Sequence, residues 1–323
     1  MLMIEHRVVP PQAIRFVRKM KGGCQAHLLE TDDGDFYVVK FLENPQGKRI
    51  LVNEWLASHI LQHLGVATPA VSVIQIGSEF LKENPDVFIQ LAHRKLLVAP
   101  GVHFGSRFPG HPDSTAVYDL FPSALLGKVA NRSDFLGALA LDRWMANTDC
   151  RQAIFHRNTQ GSLGLPGTPS RSSGRYLAEM VDFSMMFDGQ NWEFSDRVGQ
   201  GVYRDGEVYA GCGVADLEQW TAAVRNFSEL FLRETAAEIP ATWREVDGDP
   251  LARLLDKLLK RRCLGVDSAY EAMRLAIPHL RGHTTPAIWS HVRRQLKASP
   301  PKKPMINEVC PWKANPKSHW QPA

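Results

Sequence analysis

The chain has 323 residues, of which 44% are hydrophobic and 22% are charged, a composition typical of a soluble globular protein of about two domains or lobes. Its net charge of +4 permits an anionic ligand but gives no basis for nucleic-acid binding. No apolar run approaches the roughly 18 residues of a membrane span, and the amino terminus lacks the apolar stretch of a signal peptide. The five cysteines stand singly, which argues against a zinc site or disulfide framework and favours the cytoplasm.

Residues 13 to 41 have the pattern of three short strands. The first two, at 13–17 and 26–30, flank a turn that contains Gly22 and Gly23, and an Asp-Asp-Gly turn precedes the third, at 35–41. Paired glycines let backbone amides approach a ligand closely, as a loop over phosphates requires, although such a pair alone is more often a plain turn. Lys40 stands in the third strand, where lysine is unexpected unless its ammonium reaches a partner.

The stretch 48–64 repeats apolar residues with a period near 3.6 and ends at Gly65, which predicts a helix. Glu54 lies at the border of its apolar face and can turn inward to pair with Lys40, although a solvated glutamate is the commoner state. A further strand is predicted at 71–76. This order of elements is that of the small lobe of kinases, in which a strand lysine and a helix glutamate form an ion pair that positions phosphates.

The next part of the chain predicts the boundary between two lobes. Two short strands are expected at 88–91 and 95–100, and the Gly/Pro-rich stretch that follows indicates a connector. We therefore expect one lobe at 1–100, a connector at 101–115 and a mainly helical lobe at 116–298. The Pro/Lys-rich residues 299–323 are expected to be a disordered tail.

Two aspartates mark the candidate reactive centre of the second lobe. Asp149 follows a predicted helix that ends near Trp144, and Asp182 ends an apolar strand at 176–181. A strand at 153–155 and a linker-like excursion at 158–174 join them as a hairpin. Magnesium-dependent phosphoryl transfer uses such a pair, one facing the attacking hydroxyl and one binding the metal. On spacing alone, two solvated turn aspartates are the somewhat commoner interpretation. Two long helices are predicted beyond, at 216–237 and 250–275.

Taken in order, these motifs resemble the HipA-like kinases, in particular a short bacterial branch without the usual amino-terminal extension. The resemblance covers about residues 13 to 275 and rests on the runs M-K-G-G-C-Q-A-H-L-L, Y-V-V-K-F, V-N-E-W-L-A-S-H-I-L-Q-H-L-G-V, W-M-A-N-T-D-C-R-Q-A-I-F and M-V-D-F-S-M-M-F. It implies an α+β, bilobal protein-kinase-like fold. A small antiparallel β-sheet lobe with one main helix would stand beside a mainly helical large lobe.

The resemblance also implies roles for individual residues. Those expected to bind ATP, either directly or through a neighbour, are Gly22, Gly23, Gln25, Lys40, Glu54 and Val98. Asp149 is the expected catalytic base, and Arg151 is expected to stabilise charge near the transferring phosphoryl group. Asp182 and Gln152 are the expected magnesium ligands.

One departure from the family pattern concerns the metal. Related kinases place a metal-binding asparagine five residues after the catalytic aspartate, where this chain has Ile154. Gln152 is the nearest amide that can replace it, and Asn147 is the alternative. Phe183 and Ser184 also stand where a glycine-containing turn is expected, so slow catalysis and ATP binding without transfer both stay open.

The function implied is ATP- and magnesium-dependent phosphorylation of a serine or threonine of a protein substrate. By the same resemblance, an antitoxin-like partner within a toxin–antitoxin module is expected. Two alternatives are a nucleotide-binding pseudokinase that serves as a regulatory interaction module, and a small-molecule or lipid kinase.

Overall fold

The computed structural model describes residues 9–158, 175–196, 200–244 and 249–276, which form ten strands and seven α-helices. The strands are β1 (Ala13–Lys19), β2 (His27–Thr31), β3 (Phe36–Lys40), β4 (Val71–Ile76), β5 (Phe88–Gln90), β6 (Lys95–Leu97), β7 (Gly101–Arg107), β8 (Val117–Tyr118), β9 (Gln152–Arg157) and β10 (Tyr176–Val181). The helices are α1 (Arg49–His63), α2 (Ser78–Glu83), α3 (Asp134–Trp144), α4 (Val214–Arg225), α5 (Glu229–Ala237), α6 (Pro250–Lys260) and α7 (Arg262–Ala276). The predicted excursion at 158–174, except for Asn158, and the predicted tail at 299–323 lie outside the described residues.

Five strands form an antiparallel sheet in the order β1-β2-β3-β7-β4. Because successive side chains of a strand point to opposite faces, Val38 and Lys40 share one face of this sheet and Val39 lies on the other. Helix α1 covers the Lys40 face, where its buried residues and Phe104 of β7 belong to the main core. The opposite face has a core of its own, which includes Val39.

The first seven residues of the predicted connector at 101–115 form a strand, β7, between β3 and β4. The glycines indicated a loop, but Gly105 serves close packing within the sheet. A Cβ on Gly105 would lie 2.5 Å from Cγ1 of Ile74, so only glycine fits this position without a shift of its neighbours. The five-stranded sheet therefore extends beyond residue 100, the predicted end of the first lobe. The predicted boundaries of the lobes stay predictions.

The second half of the fold is mainly helical and surrounds α3, all of whose residues are buried. Helices α4 and α7 pack against α3, and the Trp144 Nε1–H donates to the Leu258 carbonyl of α6 at 2.9 Å. A small sheet in the order β10-β9-β8 adjoins these helices. Each of the two long helices predicted from the sequence is two helices, α4 and α5 in the first case and α6 and α7 in the second. In the first case, Asn226 ends α4, and the Ser228 hydroxyl accepts a bond from the Phe231 amide at the start of α5.

The segment after α5 returns to the first sheet. Trp243 is buried, its Nε1–H donates to the Val102 carbonyl of β7 at 2.9 Å, and its ring meets that of Trp55 edge-on at 6.1 Å. Trp55 in turn donates to the Thr235 carbonyl of α5 at 3.1 Å. The helical half is thereby joined to α1 and β7.

The predicted fold class is confirmed: a small antiparallel sheet with one main helix accompanies a mainly helical part. All of the described residues belong to one compact unit. Within them, every helix is too short or too polar to cross a bilayer.

Candidate active site

Lys40 joins the two halves of the site. It is the last residue of β3 and is only 8% exposed, and its ammonium donates to Glu54 Oε1 of α1 and, at 2.8 Å, to Asp182 Oδ1 after β10. Glu54 Oε1 also accepts a bond from the Phe183 amide at 3.0 Å. The structure therefore brings together three of the residues predicted from the sequence, in the ion-paired arrangement expected for Lys40 and Glu54.

The protonation of this trio follows from burial and charge. Burial raises the pKa of Glu54, although the adjacent Lys40 opposes the shift. Burial alone would lower the pKa of Lys40, but Asp182 and Glu54 hold it well above its ordinary value. For Asp182, burial acts to raise the pKa, but the Lys40 ammonium outweighs it and the pKa lies below its usual range. Lys40 is thus charged and Asp182 ionised near neutral pH.

Gln152, the first residue of β9, lies between the two predicted catalytic carboxylates. Its Nε2 is 3.1 Å from Asp182 Oδ2 and 3.5 Å from Asp149 Oδ2. Asp182 keeps 30% of its side-chain surface exposed, so its carboxylate is accessible from the cleft. Asp149, Asp182 and Gln152 therefore converge, as the sequence predicted.

This arrangement fits a magnesium ion held together with phosphates. Among the described residues, no group of three or more His, Cys, Asp and Glu side chains is placed to hold a metal by itself. Magnesium is commonly held by one or two carboxylates plus substrate phosphates and water, which matches a pair of aspartates. The Gln152 side-chain amide lies between the two carboxylates, where a cation would also be attracted. Rotation of this amide by 180° would turn its oxygen toward such a cation.

Asp149 is set in a tight turn after α3. Ala146 has a left-handed conformation (φ 50°), and the Asp149 amide donates to Asn147 Oδ1 at 3.0 Å. The Gly201 amide donates to the Asp149 carbonyl at 2.9 Å. Because Asn147 is buried and its oxygen is engaged by this turn, the geometry favours Gln152 over Asn147 as the amide ligand.

Arg151 differs from the role expected for it. Its side chain is 1% exposed, and its guanidinium pairs with Asp142 at 3.0 Å and donates to the carbonyls of Val181 and Asp182, each at 2.7 Å. Burial raises the pKa of Asp142 to about 6 despite this neighbour, so the carboxylate depends on Arg151 for its charge. The geometry favours a residue that positions the Asp182 backbone over one that contacts a phosphoryl group.

Gln25 fastens the glycine turn to β5, which pairs with β6 in a separate two-stranded sheet. The Gln25 amide donates to the Gln90 carbonyl of β5 and accepts from the Gln90 N–H, both at 2.7 Å. Gly22 and Gly23 are exposed, and Gly22 has the left-handed conformation (φ 123°) that favours glycine. The backbone of the turn is thus accessible to a ligand, whereas the Gln25 side chain is engaged in holding the turn.

Val98, which was expected to bind ATP, lies apart from Lys40, and its role stays a prediction. It is buried in the core on the face of the sheet that Val39 occupies, opposite Lys40. Its position after a short apolar strand gave no information about which face it would join.

An apolar cluster that the sequence interpretation missed lies on the Lys40 face instead. It contains Leu28, Phe36 and Phe108, with Val38 packed against them. Leu28 of β2 is the strand partner of Val38 of β3, and Val38 stands two positions before Lys40. Counting in twos back from Lys40 would have found Val38 and Phe36, but not Leu28 or Phe108, which lie outside β3. Together these side chains offer a surface for a flat aromatic ligand.

A family model described as HipA-like kinase matches residues 13–261. No curated protein matches the sequence.

Similar solved structures include hydra Fam20 with sugar, at 12% identity and a TM-score of 0.46, covering 82% of this chain and 86% of that chain. Another is the Helicobacter pylori proinflammatory kinase CtkA, at 12% identity and a TM-score of 0.45, covering 81% of this chain and 97% of that chain. A third is the Golgi casein kinase with Mn and ADP bound, at 10% identity and a TM-score of 0.45, covering 81% and 72%.

Proposed function

Because the chain belongs to the HipA-like kinase family, we propose that it transfers the γ-phosphate of ATP, with magnesium, to a serine or threonine hydroxyl of a protein. The observation that carries the proposal is the bonding of Lys40 to both Glu54 and Asp182. In phosphoryl transfer this lysine positions phosphates and an aspartate holds the metal, so the two must be neighbours. Their contact across 142 residues of sequence supports that assignment.

The residues divide the work of the reaction. The backbone of Gly22 and Gly23 covers the phosphates, Lys40 binds their oxygens, and Glu54 holds Lys40 in place. The apolar cluster of Leu28, Phe36, Val38 and Phe108 packs against the purine. Asp182 and Gln152 would hold the magnesium ion, which would supply positive charge to stabilise the phosphates.

Asp149 acts as the general base. The substrate hydroxyl oxygen forms a bond to the γ-phosphorus as the bond to the β–γ bridging oxygen breaks, and the hydroxyl proton passes to the Asp149 carboxylate. ADP carries away the electron pair of the broken bond. Asp149 is half-buried, and the proximity of its carboxylate to Gln152 supports this role.

A second candidate is a nucleotide-binding module without transfer, and Ile154 is the observation that favours it. Its side chain has no metal-binding atom and lies in β9, opposite Glu179 of β10. A protein partner of the antitoxin type and a cytoplasmic location are also part of our proposal, and they are supported by the family resemblance and by the isolated cysteines respectively.

The test is transfer of label from γ-labelled ATP in the presence of magnesium and cell extract, followed by phosphoamino-acid analysis. We expect label on serine or threonine of protein, and its loss in Asp149→Asn. Tight ATP binding with no transfer would support the second candidate. Label found only in lipid or small-molecule fractions would overturn the choice of a protein substrate.

A further inference from the structure

The loop that follows β10, residues 182–194, has an unusual backbone. Five of its non-glycine residues have left-handed φ angles between 57° and 69°. They are Asp182, Phe187, Asp188, Trp192 and Phe194. Such conformations are unfavourable for residues with a Cβ, and they persist where surrounding contacts impose them. Asp182, the proposed metal ligand, begins this strained loop.

Asn53 of α1 supplies a large part of those contacts. Its side chain is fully buried, at 0% exposure, and its Nδ2 lies 2.8 Å from the Ser184 carbonyl, 3.0 Å from that of Met186 and 2.9 Å from that of Gly189. Its Oδ1 accepts a bond from Trp192 Nε1 at 2.8 Å. One amide therefore binds four groups spread along the loop.

The next residue of α1 completes the attachment. Glu54 accepts the Phe183 amide, and the same oxygen receives the Lys40 ammonium. Asn53 and Glu54 thus hold consecutive parts of the chain that follows Asp182. The Ser184 hydroxyl adds a bond of 2.8 Å to Asp182 Oδ1 from within the loop.

We propose that Asn53 is a positioning residue that sets the Asp182 carboxylate for metal binding by holding the strained loop against α1. The inference rests on the proposed function, since it concerns the same site. No glycine follows Asp182 to relieve the turn, because Phe183 and Ser184 occupy those positions. The loop needs bonds from outside to keep its shape. Without Asn53 the loop relaxes, and Asp182 shifts from Gln152 and Asp149.

The experiment compares Asn53→Ala and the isosteric Asn53→Asp with the wild-type protein. The aspartate directs oxygens at three carbonyls, so it removes the donor while keeping the shape. The matched control is Leu61→Ala, a buried change on the same helix whose Cα lies roughly 12 Å further along the axis. Leu61→Ala reports what a general loss of stability does.

The first readout is Mn²⁺ binding in the presence of ADP, followed by the paramagnetic signal of the free ion. We expect both Asn53 variants to bind Mn²⁺ about 10- to 100-fold more weakly, the size of effect seen when the residues that orient a metal ligand are lost. ADP affinity without metal should stay within about twofold of wild type in folded variants. The second readout is amide hydrogen exchange, which should accelerate at residues 183–192 in the Asn53 variants but not in Leu61→Ala.

Wild-type Mn²⁺ affinity in a folded Asn53 variant would overturn the proposal, and so would an equal loss in Leu61→Ala. If neither Asn53 variant folds, Trp192→Phe removes the bond to Asn53 Oδ1 and keeps an aromatic ring in the core. In that case about threefold weaker Mn²⁺ binding supports the proposal and unchanged binding overturns it. A wild-type protein that binds manganese nucleotide without transferring phosphate overturns the proposed function alone, and one that binds none overturns both.

Discussion

The Lys40 ammonium lies 2.8 Å from the Asp182 carboxylate, so the proposed phosphate ligand and the proposed metal ligand are bonded to each other. Lys40 also neutralises Glu54, and a single cation therefore serves two carboxylates. Asp149, whose carboxylate lies 3.5 Å from Gln152 Nε2, is a third acidic side chain near the site. The excess of negative charge attracts a divalent cation to this end of the cleft, while Lys40 remains charged to meet the phosphates.

Removing Lys40 should damage both activity and stability. Lys40→Met leaves the buried Glu54 carboxylate without its partner, and we expect the free energy of unfolding to fall by about 3 kcal/mol. Transfer activity should fall at least about 100-fold, as when a charge-stabilising donor is lost. The double variant Lys40→Met/Glu54→Gln removes both charges and should recover part of the stability without recovering activity. Urea unfolding and transfer assays of the three proteins check this, and strictly additive stability losses would contradict it.

Gln152 should determine how much metal the reaction needs. In Gln152→Ala, the amide that adjoins both aspartates is lost, so the Mg²⁺ concentration for half-maximal transfer should rise about tenfold with little change in stability. Ile154→Val, two residues along the same strand, is the control and should leave this concentration unchanged. Titration of activity with Mg²⁺ gives both values. A wild-type requirement in Gln152→Ala would remove Gln152 from the metal site.

Acid should destabilise the fold through His103 of β7. The ring is 1% exposed; its Nε2 donates to the Ala99 carbonyl and its Nδ1 accepts the Leu42 amide, both at 3.1 Å. Burial lowers the pKa of His103 to about 4, against an ordinary value of 6.5. Between those values the unfolded chain binds a proton that the folded chain excludes. The contribution of His103 to stability is therefore complete above about pH 6.5 and is lost as pH falls toward about 4.

The test of this linkage is urea unfolding at about pH 7.5 and about pH 5, between which His103 should account for about 2 kcal/mol of lost stability. His103→Gln should show a correspondingly smaller loss. His93→Gln, at an exposed position, should keep the wild-type dependence. Equal pH dependence in His103→Gln and wild type would show that another group is responsible.

Gly201 should tolerate no side chain. It has a left-handed φ of 70°, and a Cβ there would lie 2.4 Å from Cβ of the buried Asp142. Gly211 has a similar φ of 80° but open space around it, so it separates backbone strain from the clash. We expect Gly211→Ala to lower the free energy of unfolding by about 1 kcal/mol and Gly201→Ala by about 3 kcal/mol or more. Similar melting temperatures for the two variants would show that Asp142 and its neighbours move to make room for the added methyl group.

Periodicity predicted regular elements whose apolar residues recur at the spacing of a helix or a strand. The helix at 48–64 and the strand at 71–76 agree with α1 and β4, although α1 is buried at every position from 50 to 58 and not on one face alone. It failed at β7, where Gly101 and Gly105 mimic a loop, although Gly105 is required by contact with Ile74. That contact is between strands distant in sequence and leaves no local trace.

The site was predictable where the residue type itself is unusual for its element. A lysine in a valine-rich strand indicated a partner, and the structure provides two, Glu54 and Asp182. Arg151 and Asn53 show the limit of this reasoning. Whether a polar side chain faces a cleft or a neighbouring backbone depends on the packing of α1 and the 182–194 loop, which no spacing rule specifies.

The return of the chain at Trp243 sets a lower limit on how short a working fragment can be. A polypeptide that stops before this residue leaves the Val102 carbonyl and the aromatic faces of Trp55 and Phe104 open to solvent. Strand β7 would then expose an apolar surface, which favours self-association. The amino-terminal sheet is therefore not an autonomous folding module, and expression of the first 115 residues alone should give aggregates.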